Sequence, residues 1–128
     1  MMKFSRQSRL LKPAEFKLVF QKPFRSGDEC FRVLARDNEI DNHRLGMAMS
    51  KKACAKAVDR NRIKRVVREH FRTKIAGRLD DNTLDFVVMP TKKTATQSNK
   101  ILNESLATHW QRLTRMAADR PDQPRIQK

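Results

Sequence analysis

The chain is short of acidic residues: 14 Asp and Glu stand against 29 Lys and Arg in 128 residues, a formal charge of +15. A surplus that large leaves most cations without a carboxylate and points to a polyanionic partner, nucleic acid before membrane surface. Tyrosine is absent, tryptophan occurs once and cysteine twice. Cys30 and Cys54 form no CxxC pair, which argues against a disulfide framework or a zinc site and leaves two reduced, partly buried thiols. His43, His70 and His109 are scattered, as packing or surface residues are, and not spaced as ligands. The opening MMKFSRQSRLL is charged but lacks the apolar run of a signal peptide or membrane span. A soluble, cytoplasmic protein without membrane attachment is therefore expected. No internal repeat is present, and the length suits one domain, expected over 1–117 with a basic, frayed tail at 118–128.

Local patterns place the elements. Residues 1–12 read as a basic arm. Pro13 suits the first turn of a short helix, PAEFKLVF, which sets Phe16 and Phe20 on one face. KPFRSGDE carries the turn signals Pro23 and Gly27. CFRVLAR alternates as a strand with Phe31, Val33 and Ala35 on one side. DNEIDNH is a polar turn without the glycine and closing glutamate of a calcium loop. RLGMAMS is a second strand in which Leu45, Met47 and Met49 alternate with Gly46, Ala48 and Ser50. Its low side suits either tight helix–sheet packing or the close approach of another backbone. A long helix from about 56 to 76 ends near Gly77. An Asp-rich loop (Asp80, Asp81) leads to LDFVVM, a buried strand bounded by Pro90. TKKTATQSN is a loop whose Ser98 or Asn99 can cap a last helix to about Met116, with the stripe Ile101, Leu102, Leu106, Trp110 and Leu113. The fold class is α+β, a small mixed sheet covered by helices in the order α-β-β-β-α-β-α.

The stretch KKACAKAVDRNRIKRVVREHFRTK, residues 51–74, holds ten Lys and Arg among 24 residues yet keeps Ile63, Val66, Val67 and Phe71 at helical spacing. At about 100° per residue from Ile63, the residues Asn61, Arg65, Arg68 and Arg72 fall between about 140° and 200°. Arg62 and Glu69 flank that ridge on one side and Lys64 on the other. A solvated, salt-bridged face is the ordinary fate of a charged helix. Here Glu69 is the only acid between Asn61 and Lys74, so the ridge calls for a polyanion.

The run SKKACAKAVDRNRIKRVVREHFR resembles the signature of the bacterial ribonuclease P protein subunit. The shared positions are Ser50, Lys51 and Lys52, then Ala57, Val58, Arg60, Asn61, Arg62, Lys64 and Arg65. RLLKPAEFKLVF and RLGMAMSKK are similar to the family's opening helix and its Arg-x-Gly strand. The resemblance implies an α/β sandwich with a left-handed β-α-β crossover around the long helix. It also implies a partner, one large catalytic RNA, with which the protein removes the 5′ leader of precursor tRNA. Mg²⁺ would be held mainly by that RNA and the substrate, so no catalytic or metal-binding residue is expected on the protein, and no protein partner is implied. By the same carry-over, Lys51, Lys52, Arg60, Asn61, Arg62, Lys64, Arg65, Arg68 and Arg72 would bind the RNA subunit. Phe16 and Phe20 would line a leader cleft floored by Arg32, Leu34, Gly46, Ala48 and Ser50, with ordinary core anchoring as the alternative role for the two rings.

Two rivals use the same charge. A ribosomal or RNA-chaperone protein needs neither the paired phenylalanines nor the Arg60–Arg65 run. A nuclease with its own active site needs clustered carboxylates or a partnered histidine; Asp37, Glu39 and Asp41 share one loop without either.

Overall fold

The computed structural model describes residues 9, 10, 12–40, 42–78 and 82–119. The expectations for residues 1–8, Asp41, Asp80, Asp81 and the tail from 120 onward lie outside them. The elements are α1 (Pro13–Phe20), β1 (Phe24–Gly27), β2 (Phe31–Asp37), β3 (Arg44–Met47), α2 (Ala57–Lys74), β4 (Leu84–Pro90), a 3-10 turn (Thr94–Thr96) and α3 (Asn99–Ala118). The sheet runs β1-β2-β4-β3, antiparallel except for the parallel β3–β4 pair. Parallel neighbours need a crossover, and α2 supplies it.

The alternation read in CFRVLAR decides the layers. Phe31, Val33 and Ala35 point into the larger core with Leu45, Leu84, Phe86 and Val88. Ile63, Val67 and Phe71 of α2 and Leu102, Leu106, Trp110 and Leu113 of α3 close over them. Phe71, Phe86 and Trp110 meet edge to face at centroid distances of 5.0 to 6.1 Å, a favoured aromatic geometry. The opposite face is covered by α1, where Leu10, Val19 and Val87 form a smaller cluster with Phe16, Leu34, Ala48 and Met89. β4 is therefore buried on both faces, as its apolar run, interrupted only by Asp85, predicts.

The order α-β-β-β-α-β-α holds, while two expectations need correction. Strand β1, Phe24–Gly27, lies within KPFRSGDE and pairs with β2. The turn begins only at Asp28, whose Oδ1 accepts the backbone N–H groups of Cys30 (2.9 Å) and Phe31 (3.0 Å). The second strand stops at Met47, because Ser50 folds the chain over, accepting the N–H groups of Ala53 and Cys54 at its carbonyl. Ile101 stands outside the buried stripe of α3 at 41% exposure, while Ser98 caps that helix through Ile101 N–H.

The low side of β3 resolves as helix–sheet packing. A Cβ placed on Gly46 would lie 2.6 Å from Cε1 and Cζ of Phe16 and 3.1 Å from Cβ of Leu10. Only a hydrogen fits beneath that ring. Gly46→Ala is expected to cost about 1–3 kcal/mol by overpacking, and the cost should shrink when Phe16→Leu is combined with it. Strictly additive losses in urea denaturation would show that the ring and the glycine do not meet.

Candidate nucleic-acid interface

α2 presents its apolar stripe to the sheet, so its polar residues must face outward. Asn61, Arg65 and Arg68 are exposed, with Lys64 and Arg72 half-buried beside them. With Arg9 and Glu69 they line a depression of about 430 Å³. Arg72 Nε donates to Glu69 Oε1 at 3.3 Å, and Arg72 Nη2 makes a closer contact with Oε2. That hydrogen bonding holds the Glu69 carboxyl below its usual range. The one acid of the ridge is thus committed to Arg72. Among the described residues no carboxylate pairs with Lys64, Arg65 or Arg68.

The two arginines of Arg60-Asn61-Arg62 point elsewhere. Arg60 Nη1 donates to the carbonyls of Cys54 (3.0 Å) and Ala55 (2.7 Å), tying down the linker before α2. Arg62 Nη1 donates to Asn99 Oδ1 at 2.6 Å, and its Nη2 to the carbonyls of Ala95 (3.0 Å) and Gln97 (3.2 Å). Lys51 and Lys52 are exposed in the turn after β3.

The expected leader cleft divides in two. Phe20, Arg32 and Leu34 line a cleft of about 410 Å³ with Pro23, Arg25, Gly27 and Met89. Arg25 and Arg32 line it from neighbouring strands, and Phe20 is 46% exposed. Phe16 instead lines a separate hollow of about 230 Å³ with Arg9, Gly46, Lys64 and Arg68, on the side of the helix ridge. Gly46 lies buried under Phe16, and Ser50 serves the turn through Oγ, which accepts Ala53 N–H at 3.1 Å. Neither forms an open floor. Ala48 is half-buried in the α1-side cluster.

A polar lock beneath α1 escaped the sequence reading. Arg44 on β3 grips Asp85 on β4 through Nε (2.7 Å) and Nη2 (2.6 Å), and Glu15 on α1 through Nη1 (2.9 Å). Asn38 Nδ2 adds a bond to Asp85 Oδ1 at 2.8 Å. The Asp85 side chain is 4% exposed; removing one partner of a buried pair costs about 3–5 kcal/mol. The signal was present: an aspartate inside LDFVVM cannot be buried without a cation.

Two histidines carry depressed basicity. Trp110 Nε1 donates to His70 Nδ1 at 2.9 Å, and burial, with Lys74 nearby, pushes the His70 imidazole down. His109 is fully buried, with Nδ1 2.6 Å from Ser26 Oγ. Its Nε2 lies 3.2 Å from Asp28 Oδ1. Burial lowers the His109 imidazole despite the opposing pull of Asp28.

Together these features define a class: a small, basic α+β protein organised around one helix with a cationic outer ridge. Comparison with known proteins supplies the family. The family model for ribonuclease P matches residues 4–114. The ribonuclease P protein component of Methylococcus capsulatus is 46% identical over 112 residues, covering 88% of this chain and 85% of that protein. That of Aliivibrio fischeri is 43% identical over 115 residues, covering 88% and 93%. Among solved structures, the Staphylococcus aureus RNase P protein superposes with a TM-score of 0.70 at 30% identity, covering 86% of this chain and 94% of that one. The Thermotoga maritima RNase P protein gives 0.69 at 33% identity, covering 84% and 96%. The chain belongs to the ribonuclease P protein family. Its place is therefore in a tRNA-processing endoribonuclease, in association with the RNA of that enzyme.

The histidines set an acid limit. An unfolded chain takes up a proton on each ring near pH 6.5, whereas the folded chain resists until lower pH. The stability due to the neutral rings is thus present above about pH 6.5 and lost as pH falls through the depressed folded values. The emission of Trp110, the only tryptophan, should change over the same range and lose that change in His70→Gln. Emission indifferent to pH between 7.5 and 5 would remove His70 from this role.

Proposed function

We propose that this chain is the protein subunit of ribonuclease P, working in the cytoplasm, that binds the catalytic RNA through the α2 ridge and the 5′ leader of precursor tRNA through the Phe20 cleft. The observation that carries the reading is the set Lys64, Arg65 and Arg68 on one helix face, with the adjacent Glu69 already taken by Arg72. Phosphates supply the missing negative charge, and each one neutralised releases counterions. In the cleft, the exposed ring of Phe20 offers a π-face to any base, and Arg25 and Arg32 stand where the strand's phosphates would pass.

Mg²⁺ belongs to the RNA in this reading. Among the described residues no three of His, Cys, Asp and Glu come together as a metal-holding group. The protein's part is to bind and orient. Reconstitution tests this: precursor tRNA is offered to the pure protein, to the ribonuclease P RNA at high Mg²⁺, and to both together. Leader removal that the protein accelerates only in the presence of the RNA is expected. Cleavage by the RNA-free protein would overturn the reading, and binding without any effect on processing would favour a ribosomal or chaperone role.

Two variants separate the surfaces. Arg65→Ala or Arg68→Ala should change folding stability by no more than about 0.5 kcal/mol while flattening the salt dependence of RNA binding by about one unit of slope. Affinity unchanged across a salt series would sink the ridge. Phe20→Leu keeps most apolar volume but removes a flat face worth roughly 1–3 kcal/mol per stacked base. Precursor tRNA affinity should fall about ten-fold while mature tRNA, lacking the leader, binds as before. Equal losses for both substrates would leave Phe20 as packing alone.

A further inference from the structure

We propose that Arg62 is a positioning residue, which sets the RNA-facing ridge by clamping α2 to the turn that launches α3. The inference rests on the ribonuclease P reading above, but departs from the family resemblance, which places Arg62 on the RNA. Its guanidinium already has three acceptors within the protein: Asn99 Oδ1, Ala95 O and Gln97 O. Those bonds take three of its five N–H donors, both hydrogens of Nη2 among them. A bidentate grip on phosphate would require their release, whereas Arg65 and Arg68 have no such ties.

The three acceptors lie on a segment that needs holding. Between β4 and α3 the chain makes only a 3-10 turn, Thr94–Thr96. Thr94 Oγ1 donates to the Cys30 carbonyl and anchors one end of that segment to the strand side of the core. Arg62 anchors the other end to α2, beside the Ser98 cap of α3. A planar fork can serve three acceptors at once; a lysine ammonium at the same reach could not reproduce that geometry.

The clamp matters for the ridge because it adds a polar tether at the N-terminal half of α2. The Trp110–His70 hydrogen bond holds only the C-terminal half against rotation about the helix axis. Side-chain tips lie about 5–6 Å from a helix axis, so a 20° roll would carry Arg65 and Arg68 by about 2 Å. That displacement exceeds the tolerance of a hydrogen bond to phosphate. Arg62 projects from the flank of α2, about 100° from Ile63, where a tether resists such a roll.

The test uses Arg62→Met, which keeps the stem and removes every bond, and Asn99→Ala, which removes one acceptor without touching the charge of α2. Binding to the cognate ribonuclease P RNA is measured across a salt series at 10 °C, and melting is followed without RNA. Both variants should melt lower. Arg62→Met should bind about five-fold more weakly at every salt concentration, with an unchanged slope, and Asn99→Ala should move the same way by less. A slope flattened by about one unit in Arg62→Met would make it a phosphate contact and overturn the proposal. Unaltered affinity of the folded variants would also overturn it, leaving a structural clamp without bearing on RNA. Should Arg62→Met fail to fold, Asn99→Ala decides between these outcomes alone. A chain that binds no ribonuclease P RNA would refute the function proposed above, and the RNA-free melting shift would then still report the clamp.

Discussion

The grip of Arg44 on Asp85 and Glu15 is the contact on which the two-sided sheet depends. A sheet with helices on both faces must bury its central strand twice, and β4 accordingly has almost no exposed side chain. Asp85 is the one charge admitted there. Once buried it must be met by a cation with matched geometry, because an isolated carboxylate in that setting would cost far more than folding can offset. Arg44 answers from the parallel neighbour β3 and extends its remaining amino group to α1. One guanidinium thereby joins two strands to α1, and so fixes the distance between that helix and the sheet.

Everything on the α1 side follows from that distance. With α1 held at Glu15, the Phe16 ring comes down onto Gly46 and Val19 enters the small cluster, while Phe20, one turn further on, reaches past the packed region. Two rings four residues apart thus have different fates. The first is part of the packing between helix and strand; the second is left beside Arg25, Arg32 and Leu34 in an open cleft. On the other face, the stripe from Ile63 to Phe71 turns the cations of α2 outward, and the separation of apolar and basic residues along one helix yields both a core and a charged surface.

Much of this was legible in the chain itself. Periodicity of two located β2, a short apolar run located β4 because both its faces are buried, and periodicity near 3.6 located α2 and α3, each with one buried face. The ridge was readable for the same reason: burying Ile63, Val67 and Phe71 leaves Arg65 and Arg68 nowhere else to point. What stayed hidden depends on side chains meeting across long separations. β1 looks like a turn because four residues with Pro and Gly at their borders carry little pattern, and only pairing with β2 makes them a strand. Arg60 and Arg62 sit among ridge residues in sequence, yet backbone carbonyls at Cys54, Ala55, Ala95 and Gln97 draw them inward. No spacing rule reveals an acceptor some 33 residues away.

The parallel pairing of β3 with β4 has a kinetic side. Arg44 and Asp85 are 41 residues apart, and α2 lies wholly within the loop they close. Closing a loop of that length spends chain entropy before any ladder bond is gained, and topologies rich in such contacts fold slowly. Until it closes, the basic helix is a tethered polycation without a sheet to lie on, and its like charges oppose the compaction that would orient them. A polyanion present at that stage would screen the repulsion and so favour closure of the loop.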